Sequence, residues 1–237
     1  MSTSKKATQA PPTTTTIKKA QTPSGFVQGY LVAYNLVSCV GWSAVLYRTI
    51  HYLLQTSGQY EGLYDHLGWF LTLVQTGAVL EVVHSLVGIV RSPVLTTGFQ
   101  VLSRIFLVWG ICHHFPVPEV LRHPAFTTMT LAWSITEAIR YLFYALGLLG
   151  TQPRVLLWLR YTLFFILYPL GAGSEAYLVY QSLDAAKALP EPLAQPIYYF
   201  LLAVLVIYPP GLAIMYTHMI SQRARALGPK RKVKKIE

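Results

Sequence analysis

The chain has 237 residues, of which 53% are hydrophobic and only 12% charged, with a mean hydropathy of +0.42. A soluble domain usually carries about 25% charged residues, so the composition argues against a water-solvated globule. The net charge of +10 sits mainly at the two ends, around long apolar runs. That distribution argues against a nucleic-acid stripe and suits basic termini at an anionic cytosolic leaflet.

Residues 1–25 open with "MSTSKKATQAPPTTTTIKKAQTPS", rich in Thr, Lys and Pro and without an apolar core. The stretch is expected to be a disordered cytosolic tail, and it has no signal-peptide pattern. Residues 26–220 are expected to form one transmembrane catalytic domain. Crossing a bilayer takes about 20 mostly apolar residues, and six stretches qualify: 29–48, 67–90, 98–115, 127–149, 155–180 and 196–219. The expected fold is an all-α integral membrane protein, a bundle of six transmembrane helices with N- and C-termini cytosolic.

Charge supports that orientation. With the N-terminus in the cytosol, 13 Lys and Arg fall on the cytosolic side, 3 on the opposite side (Arg48, Arg122, Lys187) and 3 inside spans. Residues 221–237 read as a basic cytosolic tail. It ends "KRKVKKIE", which resembles the dilysine retrieval signal of endoplasmic-reticulum membrane proteins. Cys39 and Cys112 lie in apolar segments without CxxC spacing, so neither a disulfide framework nor a metal site is expected.

Ionisable residues within spans are costly and mark candidate functional sites. The second span carries Gln75, Glu81 and His84, and the third Gln100 and Arg104. The fourth carries Glu137 and Arg140, and the fifth Arg160, Tyr168 and Glu175. Glu81 with His84, and Glu137 with Arg140, are spaced to share helix faces and to neutralise each other in part. His84 reads as a packing histidine and Gln75 as interhelical glue. Arg104, Arg140 and Arg160 all fall in the cytosolic halves of their spans, and they read as a cationic funnel for an anionic substrate.

The stretch "FFILYPLGAGSEAYLVY" is a membrane helix with breakers in its middle. Tyr168 and Glu175 are seven residues apart and return to nearly one face, about 10 Å apart along the axis. Pro169 removes a backbone donor and clashes with the preceding turn, so a bend is expected there. Irregular backbone at membrane depth is tolerated only inside protein or beside a cavity, so the segment reads as a cavity wall. A phenol and a carboxyl facing one cavity suit acid–base chemistry on an anionic, lipid-like molecule. There is no GxSxG elbow, no glycine-rich phosphate loop and no metal-ligand cluster spacing. A proton-coupled carrier of lipid or solute, using Glu175 as its relay, is the alternative.

The segments "LEVVHSLVGIVRSPVLTTGFQVLSRIFLVWGI", "WSITEAIRYLFYAL" and "LRYTLFFILYPLGAGSEAYLVY" carry a signature, Tyr-Pro-x-Gly-x-x-x-Glu. They resemble the very-long-chain (3R)-3-hydroxyacyl-CoA dehydratases, also called the protein-tyrosine-phosphatase-like (PTPLA) family, over residues 26–220. The resemblance implies a hydro-lyase without cofactor that converts 3-hydroxyacyl-CoA to trans-2-enoyl-CoA. This is the third step of the endoplasmic-reticulum fatty acid elongation cycle, which supplies sphingolipid precursors. It implies Tyr168 and Glu175 as catalytic residues, with Glu81, Gln100, Arg104, Arg140, Arg160 and Gly171 in support. The partners implied are the acyl-CoA, the bilayer, the elongase, the 3-ketoacyl-CoA reductase and the enoyl-CoA reductase; nucleic acid is not among them. Glu175 as base and Tyr168 as acid follows their ordinary order of acidity, and the reverse assignment stays open in the sequence.

Overall fold

A computed structural model describes residues 25–114 and 118–228. The N-terminal tail and the dilysine-like end lie outside them, apart from Gly25 and residues 221–228. Among the described residues every regular element is helical. This is the expected solution where no water can satisfy the backbone.

Helix α1 (Gly25–Gln55) runs 31 residues, and α2 (Leu63–Thr76) and α3 (Val79–Leu86) follow as one stretch interrupted at Gly77 and Ala78. Helix α4 (Val94–Ile105) continues into a π-helical segment, Phe106–His114. After the single turn α5 (Pro118–Leu121) comes α6 (Pro124–Leu148). Helices α7 (Arg154–Arg160), α8 (Phe164–Gln181) and α9 (Leu183–Lys187) form the next stretch, and α10 (Ala194–Leu227) closes the bundle.

Local chemistry sets the ends of α6. Pro124 occupies the first turn, where its missing N–H costs nothing, and His123 Nδ1 accepts from the Ala125 amide at 3.0 Å. At the other end Gly150, at φ +79°, turns the chain so that the Thr151 amide reaches the Leu146 carbonyl at 2.9 Å. Helix α6 packs on α1 along one side and α8 along the other, and α8 in turn packs on α10. The core lies along α6, with Trp42, Leu71, Ile111, Phe126, Met129, Trp133 and Leu178 all buried.

Five stretches are long and apolar enough to cross a membrane: Gly25–Gln55, Leu63–Leu86, Val94–His114, Arg154–Lys187 and Ala194–Leu227. Their outer faces leave large apolar side chains uncovered, such as Val37 and Val206, each 73% exposed. The expected fourth span lies in α6, which at 25 residues is about 37 Å long, enough for a hydrocarbon layer of about 30 Å. Its polar residues, Thr130, Ser134 and Glu137 among them, are buried against other helices.

One expectation needs correction. The fifth span breaks at residues 161–163, between α7 and α8, and not at Pro169, through which α8 runs on. One proline deletes one amide bond and can be absorbed by a helix supported on both sides. The Thr162, Phe165 and Ile166 amides instead take short i−3 bonds across the junction. Helix α10 also runs on past residue 221. The stretch "SQRARAL" contains good helix formers and prolongs α10 to Leu227, before Gly228 and Pro229.

Candidate active site

Glu175 lies on α8, one turn after Gly171, so both face the same side. That side meets α6. A Cβ on Gly171 would sit 3.5 Å from the Ala132 Cβ and 3.8 Å from Trp133, so two small residues bring the helices close enough for side chains to cross-bond. Trp133 Nε1 donates to Glu175 Oε1 at 2.8 Å, and from α10 the Tyr208 hydroxyl donates to Oε2 at 3.1 Å. Both carboxylate oxygens are therefore held, from two different helices. The Gly171 contact distances are ordinary van der Waals separations. Gly171→Ala should therefore change thermal stability by less than about 1 kcal/mol, whereas Gly171→Leu should cost about 1–3 kcal/mol through overpacking. Melting in detergent checks both.

Behind Trp133 sits a network of charges. The Arg104 guanidinium lies 4.7 Å over the Trp133 ring and pairs with Glu137. Glu137, on α6 and buried, also accepts from Arg140 Nε at 2.6 Å. Arg140 bonds both oxygens of Glu81, at 2.9 and 2.7 Å, and the Tyr141 hydroxyl donates to the same carboxylate. Two cations meet two carboxylates, so the network is neutral and joins α3, α4 and α6. His84 lies at its edge, with its Nε2 2.8 Å from the Tyr30 hydroxyl, as a buried packing histidine.

Tyr168 is half-buried, one heptad before Glu175, and its ring stacks on Tyr216 of α10 at 6.5 Å between centroids. The two donors to Glu175 are Trp133 and Tyr208; Tyr168 is not one of them. The contacts run antiparallel, Tyr168 beside Tyr216 and Glu175 beside Tyr208, along the packing of α8 on α10.

The remaining expected residues divide. Glu81, Arg104, Arg140 and Gly171 all join the wall behind Glu175. Arg160 stands apart, donating to the Tyr144 hydroxyl at 2.9 Å and packing over the Phe143 and Tyr144 rings. Gln100 is exposed on α4, one turn before Arg104. The three arginines thus do not present three free charges to one funnel, because Arg104 and Arg140 are each paired with carboxylates. Trp133 and Tyr208 are site residues that the sequence reasoning missed. A signal existed for the first: Trp133, Glu137 and Arg140 fall at i, i+4 and i+7 on one face of α6.

Known proteins are similar to this sequence. The family model for the protein tyrosine phosphatase-like protein, PTPLA, matches residues 75–229. A probable very-long-chain (3R)-3-hydroxyacyl-CoA dehydratase of Schizosaccharomyces pombe is 45% identical, over 83% of this chain and 91% of that protein. The very-long-chain (3R)-3-hydroxyacyl-CoA dehydratase PASTICCINO 2 of Arabidopsis thaliana is also 45% identical, over 84% of this chain and 92% of its own. Very-long-chain (3R)-3-hydroxyacyl-CoA dehydratase 2 of Mus musculus is 37% identical, over 93% and 89%. No solved structure matches the chain. With a family model spanning well over half its length and relatives of this similarity, the chain belongs to the PTPLA family of very-long-chain (3R)-3-hydroxyacyl-CoA dehydratases.

Proposed function

We propose that the protein dehydrates very-long-chain (3R)-3-hydroxyacyl-CoA to trans-2-enoyl-CoA, with Glu175 as the base and Tyr168 as the acid. The observation that carries the assignment of roles is the bonding of Glu175. Both its oxygens act as acceptors, from Trp133 and Tyr208, which suits a carboxylate waiting for a proton. The Tyr168 hydroxyl is not engaged with that carboxylate and is free to turn towards a substrate oxygen.

In the proposed reaction, Glu175 takes the proton from C2, alpha to the thioester. The C–H electron pair becomes the C2–C3 double bond, the C3–O bond breaks, and Tyr168 protonates the departing hydroxide to give water. Glu175 then returns its proton to the Tyr168 phenolate. Arg104, Arg140, Glu81 and Gly171 support the wall that holds Glu175, and Arg160 and Gln100 lie outside that wall. The acyl chain occupies apolar space between helices, away from bulk water.

The setting belongs to the same proposal. Six spans, with α6 added as the fourth to the other five, put both termini in the cytosol, in the endoplasmic-reticulum membrane, beside the other enzymes of the elongation cycle. The experiment is to incubate the purified protein in detergent with a long-chain 3-hydroxyacyl-CoA and follow the enoyl-CoA formed. Turnover is expected, and its absence in the wild-type protein would remove the proposal.

A further inference from the structure

The Tyr-Pro-x-Gly quartet of α8 occurs a second time, on α10, as Tyr208-Pro209-Pro210-Gly211. In both helices the tyrosine precedes a proline. Pro169 removes the amide that would bond the Phe165 carbonyl, and Pro209 and Pro210 do the same for Leu205 and Val206. Each helix is therefore loosened in the turn before its tyrosine. The antiparallel packing sets the two loosened turns along one helix interface, with Tyr168 against Tyr216 and Tyr208 against Glu175. The position one turn after Tyr208 stays open, since a Cβ on Gly211 would meet nothing within 4 Å.

The geometry points to Tyr208 as a positioning residue for the dehydration, holding Glu175 in its reactive orientation both before and after the carboxylate takes up the substrate proton. This rests on the proposed role of Glu175 as base. The chemistry of the two donors separates their parts. The indole N–H of Trp133 can only donate, so it suits the carboxylate alone. A phenol can donate or accept. Tyr208 donates to Oε2 while Glu175 is a carboxylate, and can accept from the same oxygen once that oxygen carries a proton. The Glu175 orientation, set from α6 on one oxygen and α10 on the other, thus survives the change of charge that the reaction imposes. Neighbouring aliphatic residues on α10 take no part in this, since Val206 and Ile207 are 73% and 65% exposed and turn outward.

The test compares Tyr208→Phe, which keeps the ring, with Tyr199→Phe, a 64% exposed tyrosine on the same helix. Single-turnover formation of enoyl-CoA should slow about 10- to 100-fold in Tyr208→Phe, the loss expected when a reacting group drifts by about 1 Å. KM and melting temperature should stay at wild-type values. The primary isotope effect with substrate deuterated at C2 should be at least as large as in wild type, because proton removal is the step disturbed. Tyr199→Phe should match wild type throughout. A single-turnover rate within about twofold of wild type, a shrinking isotope effect, or a loss that accompanies a fallen melting temperature overturns the inference. Glu175→Gln is run alongside. If it turns over normally, the assignment of Glu175 fails whatever Tyr208 does. If it is inactive while Tyr208→Phe is fully active, only the role of Tyr208 fails.

Discussion

Tyr168→Phe and Glu175→Gln are each expected to lower turnover of a long-chain 3-hydroxyacyl-CoA by at least about 100-fold, and the folded protein should persist in both. General acid and base groups typically contribute about 10²- to 10⁴-fold each. Both substitutions are nearly isosteric. Phe keeps the ring that stacks on Tyr216, and Gln keeps an oxygen that can accept from Trp133 or Tyr208. A loss of rate at unchanged melting temperature therefore reports lost proton transfer, read by enoyl-CoA formation. A carrier using Glu175 as a proton relay would give a different pattern, with Tyr168→Phe active, Glu175→Gln inactive and no enoyl product from wild type. Similar losses in the two variants, with the double variant little worse than either, would mark the pair as one functional unit.

The largest expected effect on stability comes from Glu137. Its side chain is only 4% exposed and serves both Arg104 and Arg140. Glu137→Leu leaves Arg104 over the Trp133 ring without its carboxylate, and leaves Arg140 with Glu81 alone. Breaking a buried pair by removing one partner costs about 3–5 kcal/mol, because the surviving charge remains desolvated. For a chain of this size that corresponds to a melting temperature lowered by about 6–20 °C. Replacing Arg104 as well, by Met, should recover part of the loss, since a pair exchanged for apolar side chains of similar volume is often nearly neutral. Thermal unfolding of the single and double variants in one detergent checks both statements. Activity should fall with Glu137→Leu too, because Arg104 of the network packs on Trp133, which holds Glu175.

The helices themselves were legible in the sequence, since long apolar runs between charged ends allow little else. The Tyr168 and Glu175 spacing fixed their common helix face, and the spacing of Glu137 and Arg140 announced an ion pair that the structure contains. The partners from other helices were not legible. An amphipathic helix declares which way it faces, but α8 and α10 are apolar almost all round, so periodicity does not fix their rotation. Nothing in the sequence therefore pointed Tyr208 at Glu175. Counting the cations by depth suggested a funnel because it could not see that two of the three were already matched by carboxylates. The break at 161–163 was hidden for a related reason. Proline is the conspicuous breaker, yet packing of α8 on both sides holds the helix through Pro169, and the chain yields at an inconspicuous Tyr-Thr-Leu instead.

The neutral network bears on how the molecule is made. Its charges come from α3, α4 and α6, and chain order supplies Glu81 first, Arg104 next, and Glu137 with Arg140 last. A lone charge at the centre of an inserting helix costs about 2.5–3.5 kcal/mol. On the six-span arrangement, Glu137 and Arg140 offset each other within α6, and their further partners Arg104 and Glu81 are already waiting when it emerges from the ribosome. On that arrangement tertiary pairing assists the integration of α6, and a chain lacking Glu81 and Arg104 should integrate that segment less efficiently during synthesis.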